Sequence, residues 1–142
     1  MNSVQHIVLF TLVLFAFSAA KPSEKMLKQY ELTDKECRAE NNLTKDEKPD
    51  PNAEAPRSFK CYTKCIIEKN FYKDITDAEK VIAGARKYYS ELDPAESKNT
   101  VEAKIATMLK CGTDNENKSD DACEYAWKVN ECIMKHYKEK KM

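Results

Sequence analysis

Six cysteines, Cys37, Cys61, Cys65, Cys111, Cys123 and Cys132, restrict the folds open to this chain more than any other feature. An even number in a short chain reads as a disulfide framework when the chain reaches an oxidising compartment. The amino end points to such a compartment. Val4, Ile7–Leu9, Phe10, Leu12–Phe15 and Phe17 form an apolar run with no charged residue before Lys21, and Ser18-Ala19-Ala20 fits the small-residue cleavage rule. A membrane anchor needs about 20 apolar residues, and this run is shorter. A secretory signal peptide over 1–20 is therefore expected, followed by one domain over 21–142, 122 residues in length.

The expected mature segment holds all 24 Lys and Arg and all 24 Asp and Glu, a net charge of zero. Nucleic-acid binders usually carry a basic surplus, so a polyanion partner is not expected. The charges are interspersed, as on a solvated surface. Large aliphatic residues are few, so the core is thin and the bridges are structural, each adding about 3 kcal/mol on a chain-entropy account.

With only Gly84 and Gly112, the chain lacks the glycines of a turn-rich all-β domain. The apolar spacing is helical. Met26, Leu27, Tyr30, Thr33 and Cys37 share one side of a first helix. Pro49, Pro51 and Pro56 then rule out a long regular helix. Helical spacing resumes at Phe59, Tyr62, Cys65 and Ile66. Thr76 with Glu79 forms a capping box before a stripe of Ala78, Val81, Ile82, Ala85, Tyr88 and Tyr89, which Leu92-Asp93-Pro94 ends. Val101, Ile105, Met108 and Leu109 form the next stripe, with Gly112 as its expected left-handed cap. Ser119, Asp120 and Asp121 suit the start of a last helix carrying Ala122, Ala126, Val129 and Ile133. The reading is all-α, five to six helices, no strand.

Cys61 and Cys65 lie on one face of one helix with nearly parallel side chains, and Cys123 and Cys132 point to opposite sides of another. Neither pair can close locally. Excluding both leaves ten of the fifteen connectivities open. The order Cys37-x23-Cys61-x3-Cys65-x45-Cys111-x11-Cys123-x8-Cys132, with Phe59-Lys60-Cys61-Tyr62-Thr63-Lys64-Cys65-Ile66-Ile67-Glu68-Lys69 and Asp121-Ala122-Cys123-Glu124-Tyr125-Ala126-Trp127, resembles the six-cysteine insect odorant-binding protein family over the whole expected mature chain. The resemblance implies bridges Cys37–Cys65, Cys61–Cys123 and Cys111–Cys132, stapling the helices around an apolar cavity. It also implies a secreted carrier of small hydrophobic ligands, a monomer or weak homodimer, with a membrane odorant receptor complex as further partner. The proline-rich stretch Pro49–Pro56 departs from the family, which usually has a second helix there.

By position relative to the cysteines, the resemblance puts Tyr30, Ile105, Met108, Ala126, Val129 and Ile133 against the ligand; Ile82 and Tyr89 are added from their stripe. The same positions would equally fill an ordinary core, and periodicity alone favours the core. Trp127 suits either helix packing or ligand contact. Asn42-Leu43-Thr44 and Asn117-Lys118-Ser119 are glycosylation sequons in expected loops.

A secreted hydrolase is the second hypothesis. The expected mature chain keeps one histidine, His136, in a Lys-rich end that should be exposed, and carries none of Cys-Cys-x-x-His, Gly-x-Ser-x-Gly or His-Glu-x-x-His. No catalytic residue, metal or cofactor is expected. The third hypothesis is a salivary, seminal or venom effector that sequesters a mediator or binds a partner protein, since a scaffold does not fix its use. Only ten residues follow Cys132, and they are mostly charged, so a carboxyl tail that enters the cavity at low pH is not expected.

Overall fold

The computed structural model describes residues 23–70 and 77–140, which form five helices and no strand. The expected signal segment lies outside the described residues. Helix α1 spans Glu24–Glu40, α2 Arg57–Asn70, α3 Ala78–Leu92, α4 Lys98–Asn115 and α5 Ala122–Lys140. Helix α5 packs against both α2 and α4; α1 lies on α2, and α3 on α4.

The helix ends follow from local side chains. Ser23 accepts from the Met26 amide at the start of α1. At its other end Asn42 adopts φ 55°, and the Asn42 and Leu43 amides donate to the Ala39 and Arg38 carbonyls. This is a Schellman closure, in which asparagine stands where glycine is usual. Helix α3 is capped by Asp77, whose carboxylate accepts from the Glu79 and Lys80 amides. The cap is thus one residue later than the expected Thr76, which lies outside the described residues. Asp121 caps α5 by accepting from the Cys123 and Glu124 amides.

Gly112 is not a cap. Helix α4 runs on to Asn115, and no described glycine has a positive φ. The extra turn holds because the buried Asn115 side chain donates to the Cys111 carbonyl at 2.8 Å. What glycine gives at 112 is room: a Cβ there would lie 3.1 Å from the Tyr125 hydroxyl oxygen, and the tyrosine would have to give by a few tenths of an ångström.

The proline-rich segment between α1 and α2 is irregular, and α1 holds it in place. Buried Arg38 pairs with Asp34 at 3.0 Å and donates to the Thr44 and Glu47 carbonyls. Asp34 also accepts from the Tyr62 hydroxyl of α2, and the Arg38 guanidinium lies over the Tyr62 ring. None of the buried polar atoms without a partner belongs to this network, which is what lets the charges stay buried. At the start of α2, Lys60 bridges Glu54 and Glu124, and those carboxylates push its pKa up.

Two apolar clusters result. Tyr30, Val81, Ala85, Tyr88, Tyr89, Leu92, Ile105, Met108, Cys111, Ile133 and Tyr137 form the main core. Cys37, Leu43, Ala55, Phe59, Tyr62, Cys65 and Ile66 form a second, with Trp127 packed against it. Leu27, expected on the buried side of α1, is 39% exposed. Disulfides join Cys37 to Cys65, Cys61 to Cys123 and Cys111 to Cys132, the same pairs the family resemblance implies. The first ties α1 to α2, the second α2 to the start of α5, and the third the end of α4 to the middle of α5.

Candidate functional site

A cavity of about 330 Å³ opens where three helices come together. Helix α3 contributes Ala78 and Val81, α4 contributes Met108, Leu109, Gly112 and Thr113, and α5 contributes Ala122, Tyr125, Ala126 and Val129. Ile67 of α2 closes one side, and Glu116, Ser119 and Asp120 of the α4–α5 connection form the rim. The space exists because four of these positions carry small side chains, Ala78, Gly112, Ala122 and Ala126, where larger ones would interdigitate. The two disulfides flanking it, Cys111–Cys132 and Cys61–Cys123, sit one residue from Gly112 and from Ala122 and fix the walls without filling the gap.

The inner wall is apolar. Val81, Met108 and Ala126 are buried and Ile67, Leu109 and Val129 half-buried. The Met108 sulfur accepts from the Tyr89 hydroxyl at 3.9 Å, which holds this otherwise adaptable side chain. Exposed Thr113, Glu116 and Asp120 mark the mouth. There the Tyr125 hydroxyl donates to the Gly112 carbonyl at 3.2 Å. Its pKa is raised, first by burial and then by the Glu116 carboxylate.

Of the eight positions expected against a ligand, Met108, Ala126 and Val129 line this cavity. Tyr30, Tyr89, Ile105 and Ile133 are buried in the main core, and Ile82 is half-buried against it. They do not line the cavity, and this is where the ordinary-core alternative describes them better. Tyr30 packs edge-on against Tyr88, with burial driving both hydroxyl pKa values upward. Among the lining residues that went unremarked as ligand positions, Ala78, Gly112 and Ala122 had a readable signal: together with Ala126 they are small residues placed on three helices at corresponding ends. Glu116, Ser119 and Asp120 had none, because only the closure of the α4–α5 connection brings them to the rim. Trp127 packs on the second cluster and does not line the cavity.

His136 is half-buried rather than exposed. Its Nε2 lies 3.4 Å from the Thr107 hydroxyl, and its ring packs edge-on against Tyr137. Asn42 and Asn117 are both exposed and outside the cavity lining. Among the described residues no group of His, Cys, Asp and Glu is placed to hold a metal ion, and no helix is long and apolar enough to cross a membrane.

No curated protein and no solved structure matches the chain. The model of the PBP/GOBP family, however, matches residues 19–136, a stretch containing all six cysteines and every residue of the cavity. Together with the all-helical, triply bridged fold, that match establishes that the chain belongs to the PBP/GOBP family, the insect odorant- and pheromone-binding proteins, a family of binding and carrier proteins.

Proposed function

We propose that the protein is a secreted carrier that takes up a small hydrophobic ligand in the cavity between α3, α4 and α5 and moves it through aqueous fluid. The observation that carries this reading is an apolar recess of about 330 Å³ in a chain otherwise rich in surface charge. Its size is at the lower end of the range for small-molecule sites, which suits a ligand of about ten to fifteen heavy atoms. Met108, Ala126 and Val129, with Ile67, Val81 and Leu109, are the contact surface in this proposal. Tyr30, Tyr89, Ile105 and Ile133 support the wall from behind. Delivery to a membrane receptor is the step that the family suggests next, and Asn42 and Asn117 are free to carry glycans on the outer surface.

Displacement of a fluorescent apolar probe from the oxidised mature protein tests the proposal. Leu109→Asp and Val129→Asp are half-buried positions whose substitution places a carboxylate in the recess, and each should weaken probe binding at least tenfold with the helical circular dichroism retained. Folded variants that bind the probe as the parent does would locate the ligand elsewhere.

A further inference from the structure

Among the described residues, the charged side chains lining the mouth of the cavity have one sign. They are Glu116 and Asp120, and no described Lys, Arg or His lines the cavity. Neither carboxylate makes an ion pair among the described contacts. Of the described cations close in sequence to the lining, Lys80 pairs with Asp77 at 3.1 Å, Lys110 pairs with Asp114 at 2.5 Å, and Lys118 is exposed and outside the lining. The helix ends act in the same direction. Helix α4 presents its carboxyl-terminal turn, with the negative pole of its dipole, through Gly112 and Thr113. The positive poles of α3 and α5 also reach the cavity, through Ala78 and Ala122, but each carries its own carboxylate cap, Asp77 and Asp121, and Asp121 is further paired with Arg57. The described charged groups of the rim are therefore carboxylates above an apolar floor, although the chain as a whole has no net charge.

We infer that the preferred ligand is a small amphiphilic amine, its hydrocarbon or aromatic body against Val81, Met108 and Val129 and its ammonium group at the rim between Glu116 and Asp120. An anionic amphiphile such as a fatty acid is disfavoured: its carboxylate would meet two like charges and a helix carboxyl terminus. The inference rests on the reading of this cavity as the ligand site. Both rim carboxylates are solvent-exposed, so each contributes a modest, salt-sensitive attraction rather than a buried ion pair. Together with the helix pole they should favour the ammonium by on the order of tenfold over a neutral group of equal size at low ionic strength.

Octylamine, octanol and octanoate, which differ in essence only at the head group, test this by competition against a neutral apolar fluorescent probe on the oxidised mature protein. At neutral pH and about 20 mM salt, the expected order is octylamine, then octanol, then octanoate. The gap between the first two should shrink severalfold at about 0.5 M salt. In the Glu116→Gln/Asp120→Asn variant, octylamine should lose most of its advantage over octanol, keeping only the small part owed to the helix pole, while octanol is unchanged. Equal affinities for amine and alcohol in the parent, or an amine preference undiminished in the variant, would overturn the inference and leave the carrier reading standing. Failure of all three compounds to displace a bound probe would remove this cavity as the ligand site and the inference with it.

Discussion

Replacing Lys104 by methionine should be among the most damaging single changes in this protein, although it exchanges a charged side chain for an apolar one of similar length inside the fold. Lys104 Nζ lies 2.5 Å from Glu96 Oε1, and the two side chains are 5% and 6% exposed. The other carboxylate oxygen of Glu96 is buried without a hydrogen-bond partner. Removing the ammonium therefore leaves a buried carboxylate with neither oxygen compensated, at a cost of about 3–5 kcal/mol. The reverse change, Glu96→Met, should cost less, about 2 kcal/mol. The lysine keeps the Tyr89 ring, whose centroid is 5.0 Å from Nζ, and its long stem can carry the charge outward. Both changes together remove the desolvation cost with the attraction, and the double variant should lie within about 1 kcal/mol of the parent. Urea unfolding of the four oxidised proteins measures this. With a slope of about 1–2 kcal/mol per molar, Lys104→Met should lower the midpoint by roughly 2–3 M and the double variant should recover most of it. A Lys104→Met protein within 1 kcal/mol of the parent, or a double variant no more stable than that single one, would refute the idea that the α3–α4 corner closes on a desolvated pair.

Loss of the bridges should rank by the chain each one closes: Cys61–Cys123, separated by 62 residues, about 4 kcal/mol; Cys37–Cys65, separated by 28, and Cys111–Cys132, by 21, both nearer 3.5. Paired Cys→Ala variants in urea check the order, and a largest cost at Cys111–Cys132 would point to packing lost between α4 and α5 instead of loop entropy. Burial, with a smaller contribution from Glu96, pushes the Tyr137 hydroxyl up to about 12, and burial also raises those of Tyr30, Tyr62 and Tyr88. Because the folded state favours the neutral phenols, their contribution is intact below pH 10 and is lost as pH rises from 10 through 12, about 2 kcal/mol from Tyr137 alone. Thermal melts with tyrosinate absorbance should show unfolding and ionisation together, and independent ionisation at pH 10 in the folded protein would contradict it. Gly112→Ala gains up to about 1 kcal/mol of helix propensity but crowds the Tyr125 hydroxyl and weakens a hydrogen bond of similar worth, so stability should change little while probe binding shifts. A loss above about 1.5 kcal/mol would mean that Tyr125 cannot move. Deleting residues from Lys138 onward removes exposed charged groups and should leave probe affinity unchanged between pH 7 and 5, whereas deletion from Tyr137 onward removes a core residue and should destabilise the fold.

The helices were legible along the chain because each is a local matter. A 3.6-residue apolar period and polar caps such as Asp121 act within a turn or two, and the three prolines of the α1–α2 connection forbid a long helix wherever they occur. Local signals are ambiguous at the end of α4: Gly112 has the chemistry of a cap, yet Asn115 closes the helix one turn later through a side-chain bond that no residue pattern announces. The bridge pairing was never a local matter, since periodicity excluded only the two short-range pairs; it took the family's spacing to select one of the ten that remained. The cavity lies one step further still from the sequence. Ile105 and Met108 belong to one stripe of one helix, but one is sealed in the core and the other faces an open recess. That difference depends on which partner helix is small where they meet, and hence on the crossing of α3, α4 and α5. The same holds for Glu116 and Asp120: as residues they are two charges among 48, and only the closure of the α4–α5 connection over Ala78 and Ala126 makes them the rim of a site.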